Sequence, residues 1–124
     1  MTQPLALVSY ERLLPGTQLV NRLQDLGYRV LTSPGGSALA LVAHQEKPMI
    51  VLIDLVANHA KATQAIADLR HSAATNHLPI IAYSDDKNPT LTAAAREAGA
   101  TLVVSEVAIL THLEQFLERA LELD

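Results

Sequence analysis

One carboxylate stands at the end of a run that is otherwise entirely apolar. In "IVLID", Ile50 to Ile53 lead directly into Asp54. A near-continuous apolar run reads as a strand buried on both faces, and the carboxyl ends of such strands are where open α/β folds build their sites. Other oxygen-bearing residues end or follow the remaining apolar runs: Ser9, Tyr10 and Glu11 after the first, Ser84 at the end of "LPIIAYS", and Glu106 after "TLVVS". Asp54, Glu11, His59 and Asp85 or Asp86 could together supply a metal with mixed nitrogen and oxygen ligands. No HxH or HExxH spacing supports that reading, and the other four histidines are scattered as surface residues. An acid at such a position should not be left unpaired, because an isolated buried charge is costly. Asp54 is therefore expected to bond to backbone amides of the following loop, or to Ser9 and Tyr10. Ser84 reads as a small polar strand end, and Asp85-Asp86 as a solvated loop. Gly35-Gly36 lies between a strand and a helix, but without GxGxxG or a P-loop lysine it reads as a turn. No nucleophile–base pair is visible, so enzymatic turnover is not expected.

The elements that must position these residues alternate along the chain. Strands are expected at "PLALVS", "YRVLTS", "PMIVLID", "LPIIAYS" and "TLVVS". Between them lie helical patterns. "PGTQLVNRLQDLG" carries Leu19, Val20, Leu23 and Leu26 at helical spacing, with Gly27 placed to end it. "SALALVAHQ" has Ser37 as its N-cap. "AKATQAIADLRHSA" buries Ala62, Ala65, Ile66 and Leu69. Asn88 caps the next helix, with Pro89 in its first position and Gly99 at its end. "VAILTHLEQFLERALELD" is the last, in one piece. Five βα units predict a five-stranded parallel sheet with five helices on its two faces, joined by right-handed crossovers. The flavodoxin-like strand order 2-1-3-4-5 is the common solution, a three-layer fold whose crevice lies at the carboxyl ends of strands one and three. Ser9, Tyr10, Glu11 and Asp54 should meet there, flanked by Ser84 and Glu106.

Composition narrows the function classes. The 124 residues suggest one domain spanning 1–124. With 49% hydrophobic but only 3% aromatic residues, the core must be aliphatic. A net charge of −4 without any basic run argues against nucleic acid as a partner. The absence of cysteine excludes disulfides, thiolate metal sites and cysteine nucleophiles. Neither a signal-peptide pattern nor a membrane span is visible, so the expectation is a cytoplasmic protein with no membrane partner.

At "VLIDL", Leu69-Arg70, "HLPIIAYS" and "EAGAT" the chain resembles a response-regulator receiver (CheY-like) domain over essentially its whole length. That resemblance implies an acceptor of a phosphoryl group at Asp54, a Ser/Thr position at Ser84, a Gly-Ala pair at Gly99-Ala100, and a lysine position at Glu106. It also exposes departures. Receivers hold Mg²⁺ with an acidic pair after the first strand, and this sequence places Ser9 and Tyr10 there. Glu11 is acidic but one residue late, leaving Glu11 and Asp54 as weak metal candidates. Glu106 reverses the sign of the family's lysine; two like charges about 5 Å apart repel by roughly 3 kcal/mol at an effective dielectric of about 20. Alternatively, Glu106 serves the first turn of the last helix, where the dipole favours it. The proline after the lysine is Val107, the proline and glycine of the loop after the acceptor are Asn58 and Ala62, and the switch aromatic is Val103.

The expectation is thus a stand-alone pseudo-receiver: a signalling module that docks to a protein without phosphorylation and needs no cofactor. One alternative is a divergent regulator phosphorylated on Asp54, which would require Mg²⁺. Another is a small-ligand binder at the strand-end crevice. The resemblance implies a histidine kinase or downstream effector as partner. The last helix has Ile109, Leu113, Phe116 and Ala120 in one stripe, widened by Leu110, Leu117, Leu121 and Leu123. With the small Ala93, Ala94 and Ala95 of the preceding helix, it suggests a homodimer surface.

Overall fold

The computed structural model describes residues 4–10, 13–33, 39–56, 59–84 and 89–122, with backbone alone at 13–15 and 59. Its elements are β1 (Leu5–Ser9), α1 (Leu13–Asp25), β2 (Arg29–Ser33), α2 (Leu39–Glu46), β3 (Ile50–Asp54) and α3 (His59–His71). They continue as β4 (Ile80–Ser84), α4 (Pro89–Ala98), β5 (Leu102–Ser105), α5 (Glu106–Thr111) and α6 (Leu113–Glu122). The strands form one sheet in the order β2-β1-β3-β4-β5, parallel throughout. Ser37, Asn88 and Gly35-Gly36 lie outside the described residues.

Burial follows the strand positions. Every residue of β3 and β4 is buried, whereas β2 and β5, the sheet edges, are half-buried or exposed. Alternate residues feed two aliphatic layers, as the two-residue period of a strand requires. Leu7, Val51, Ile53, Ile80 and Ala82 pack with residues of α2, α3 and α4, including Ile66 and Leu69. Ala6, Val8, Ile50, Leu52, Ile81 and Tyr83 face Leu19 and Leu23 of α1 and Ile109, Leu113, Leu117 and Ala120 of the C-terminal helices. The stripe expected on α3 (Ala62, Ala65, Ile66, Leu69) is buried throughout.

Two glycines end helices by the same device. Gly27, at φ +93°, donates to the Gln24 carbonyl while Tyr28 donates to Leu23, both at 3.0 Å. Gly99, at φ +121°, donates to Arg96 while Ala100 donates to Ala95, both at 3.1 Å. These paired bonds form the Schellman motif, which places C′ in a left-handed conformation that glycine adopts without a Cβ penalty. Ala100 then packs on the first aliphatic layer.

The last helix differs from the sequence expectation: it is two helices, broken at His112 (φ −122°, ψ 33°). The Thr111 hydroxyl donates to the Val107 carbonyl at 2.8 Å, a back-bond to position i−4 that bends helices. The inner stripe changes with the break. Leu117, not Phe116, joins Ile109, Leu113 and Ala120 in the core. Leu110 and Phe116 are half-buried against the same layer, so much of the apparent apolar excess is core; Leu123 lies outside the described residues. Among the described residues, no helix is long and apolar enough to cross a membrane.

Candidate functional site

The parallel registers bring the expected polar residues to one rim. Ser9 aligns with Ile53, Asp54 with Tyr83, and Ser84 with Ser105. Continuing β1 by one residue sets Tyr10 level with Asp54. Ser9, Asp54 and Ser84 are all buried, at 4%, 5% and 2% exposure. Glu11, Asn58, Asp85 and Asp86 lie outside the described residues, and only the backbone of His59 is described, at the start of α3.

Asp54 is engaged with its own loop. Its Oδ1 accepts a hydrogen bond from the Val56 amide at 2.8 Å. This is an Asx-turn, in which a side-chain oxygen stands in for a backbone carbonyl and organises the chain as it leaves the strand. The acid is thereby supplied with a donor at a site where an isolated carboxylate would be costly.

Tyr10 is half-buried and belongs to the layer beneath α1. Its amide donates to the Ser33 carbonyl at 3.3 Å. Its ring lies so close against Gly16 of α1 that a Cβ there would collide with it. The position is therefore filled by a packed aromatic body. Sequence reasoning flagged Tyr10 as a missing acid but did not anticipate this packing. The sequence carried no specific signal for it, since Pro15-Gly16 reads first as a turn dipeptide.

On the other side, Ser105 caps α5: its Oγ accepts from the Ala108 amide at 3.0 Å. Glu106 is the first helical residue, half-buried, where a negative charge complements the helix dipole. Val107 is 73% exposed, Val103 packs against the first aliphatic layer, and Ala62 is a core residue.

A magnesium ion favours six oxygens in near-octahedral array, with carboxylates supplying the protein's charge. At the described rim, Ser9, Tyr10 and Ser84 supply hydroxyls, and Asp54 and Glu106 supply carboxylates. Among the described residues, no group of three or more His, Cys, Asp or Glu is placed to hold a metal ion.

No protein-family model matches the sequence, and no curated protein does. Solved structures do match in shape. The receiver domain of a sensor histidine kinase from Pseudomonas aeruginosa PAO1, solved with magnesium coordinated in its active-site cleft, is 19% identical with a TM-score of 0.87, covering 98% of this chain and 99% of that one. A candidate response regulator from Chloroflexus aurantiacus J-10-fl is 17% identical at a TM-score of 0.88, with the same coverage. A chemotaxis response regulator of Vibrio cholerae is 18% identical at 0.83, covering 96% of this chain and 99% of its own. The structural neighbours of this chain are thus response-regulator receiver domains, and the chain has their CheY-like, flavodoxin-like fold.

Proposed function

We propose that this chain is a receiver-like signalling module that recognises a protein partner independently of aspartyl phosphorylation. The observation that carries this reading is Tyr10, one residue past the Ser9–Ile53 pair of the β1–β3 register and packed over Gly16. In receivers of this type, the matching position contributes to the acidic pair that holds magnesium. An aromatic body supplies no carboxylate, and phosphoryl transfer to an aspartate needs a cation to offset the developing negative charge. Glu106 in place of the lysine works in the same direction. The reading assigns the chain no catalytic turnover and no cofactor. Its function is protein–protein recognition in the cytoplasm, with a histidine kinase or downstream effector as the partner class. Self-association through α4 and the C-terminal helices is the homodimer consistent with it.

Intact-mass spectrometry after incubation with Mg²⁺ and acetyl phosphate tests the proposal, beside an Asp54→Asn control. No phosphoryl adduct is expected. An adduct that disappears in the control would establish the alternative, a phosphorylated regulator in which Asp54 is the acceptor and Glu11 assists the metal.

A further inference from the structure

The opposite end of the sheet carries a second candidate site. Two adjoining cavities, about 470 and 460 Å³, share Lys47, Pro48, His77 and Leu78 in their walls. Together they form one trough at the amino ends of β1, β3 and β4. Its floor is apolar, from Ala43, Pro48, Ala74 and Leu78. Its rim carries Lys47, His44, His77 and Arg29, against a single acid, Glu46. With histidine neutral, as in the chain's net charge of −4, Lys47 and Arg29 (+2) against Glu46 (−1) leave the described rim at +1, a local reversal of sign.

Lys47 is the one non-glycine residue with positive φ among the described residues, at 52°. It occupies the C′ position of α2, its amide donating to the Ala43 carbonyl at 3.0 Å. Glycine normally fills this position because an L side chain there is strained. The dipole of α2 favours a cation nearby, but it does not require one at the strained position. Nor does it account for His77, which comes from the turn after α3. A residue held in such a conformation directs attention to its side chain.

The wall that carries His77 is pre-set. The Thr75 hydroxyl donates to the Leu69 carbonyl at 2.7 Å, and Arg70 donates from one nitrogen to the carbonyls of Asn76 and Leu78, at 2.8 and 2.7 Å. The Asn76 amide closes the turn onto Ser72 at 2.8 Å. A wall fixed before binding lowers the ordering cost of binding. The volume falls in the range of small-molecule sites, which combine apolar lining with a few placed polar groups.

We infer that this trough binds a small amphipathic organic anion, with an apolar body on the Pro48–Leu78 floor and a phosphate or carboxylate head at Lys47 and His77. Phenyl phosphate is the probe, titrated into the full ¹⁵N-labelled chain, with inorganic phosphate and phenol as its separate halves. Saturable shifts at the Ala43, Lys47 and His77 amides are expected, with either half weaker by about tenfold or more. Lys47→Gly removes the cation and relieves the strained conformation, so it should fold at least as well as the parent while weakening phenyl phosphate about tenfold. His77→Ala provides an independent reduction from the other wall. No saturable shift, equal binding by Lys47→Gly, or equal binding of inorganic phosphate would each overturn the inference.

Discussion

The Arg70 side chain lies directly across Gly99, joining the end of α3 to the end of α4. Its Nε donates to the Gly99 carbonyl at 2.7 Å, and a Cβ at position 99 would stand 2.5 Å from Arg70 Cγ. A second guanidinium nitrogen reaches the Thr101 hydroxyl at 3.1 Å, which in turn accepts from the Ile80 amide at 3.0 Å. One side chain therefore ties two helix ends and two strand starts. Arg70→Ala is expected to cost about 2–3 kcal/mol by denaturant unfolding, as loss of charge-assisted bonds to carbonyls. Gly99→Ala is expected to cost about 1–3 kcal/mol from its positive φ together with the collision. Because part of that collision is with Arg70, the double variant should cost less than the sum by about 0.5 kcal/mol or more. Strict additivity would show that the two positions are not coupled.

Tyr10 and Gly16 make a pair with a reversible sign. Gly16→Ala should destabilise the parent by about 1–3 kcal/mol, since the new methyl has no room beside the ring. In a Tyr10→Ala background the same change should stabilise by up to about 1 kcal/mol, because alanine is the better helix former. Paired unfolding curves measure both values. An unchanged sign would mean the ring does not occupy that space in solution.

Burial pushes the Tyr28 hydroxyl above its ordinary pKa, because desolvation disfavours the phenolate. The sign follows from linkage. With the folded-state pKa above the unfolded value near 10, this group's contribution is fully present below pH about 10 and is lost as pH rises through the folded value. Tyr28→Phe should flatten the alkaline limb of a stability–pH curve and leave the neutral region's slope unchanged. An identical alkaline limb in the two proteins would refute the assignment.

Leu117 separates the core face of α6 from its outer face. Leu117→Ala should cost about 2–5 kcal/mol, as for other buried leucines. Val107→Ser, at an exposed position on α5, should stay within about 0.5 kcal/mol. Chemical denaturation of the two variants gives the comparison, and a neutral Leu117→Ala would place that side chain outside the core.

The strands were legible because the apolar runs are short and separated by turn chemistry, and the most continuous runs became the interior strands β3 and β4; the order itself came from the common solution for five βα units. Gly27 and Gly99 marked helix ends because no other residue type takes those conformations as readily. The break at His112 was hidden: neither proline nor glycine stands there, and the Thr111 hydroxyl that bonds back to the Val107 carbonyl reads in sequence as any exposed threonine. The strain at Lys47 was hidden for the related reason that lysine does not announce a left-handed cap. At the rim, the identity of each residue was readable but its partners were not. The Val56 bond to Asp54 and the Tyr10 packing over Gly16 depend on how the loop and α1 return to the sheet.

The Asx-turn at Asp54 bears on how this position can drift through evolution. As a clasp for the Val56 amide, the side chain at position 54 needs reach and acceptor geometry. Asparagine preserves the acceptor and serine approximates it, whereas alanine abandons it and glutamate overreaches by a methylene. Chain direction is thus one reason to keep a hydrogen-bond acceptor at this strand end. Where the clasp is what matters, that position should vary among Asp, Asn and Ser before it admits an aliphatic residue.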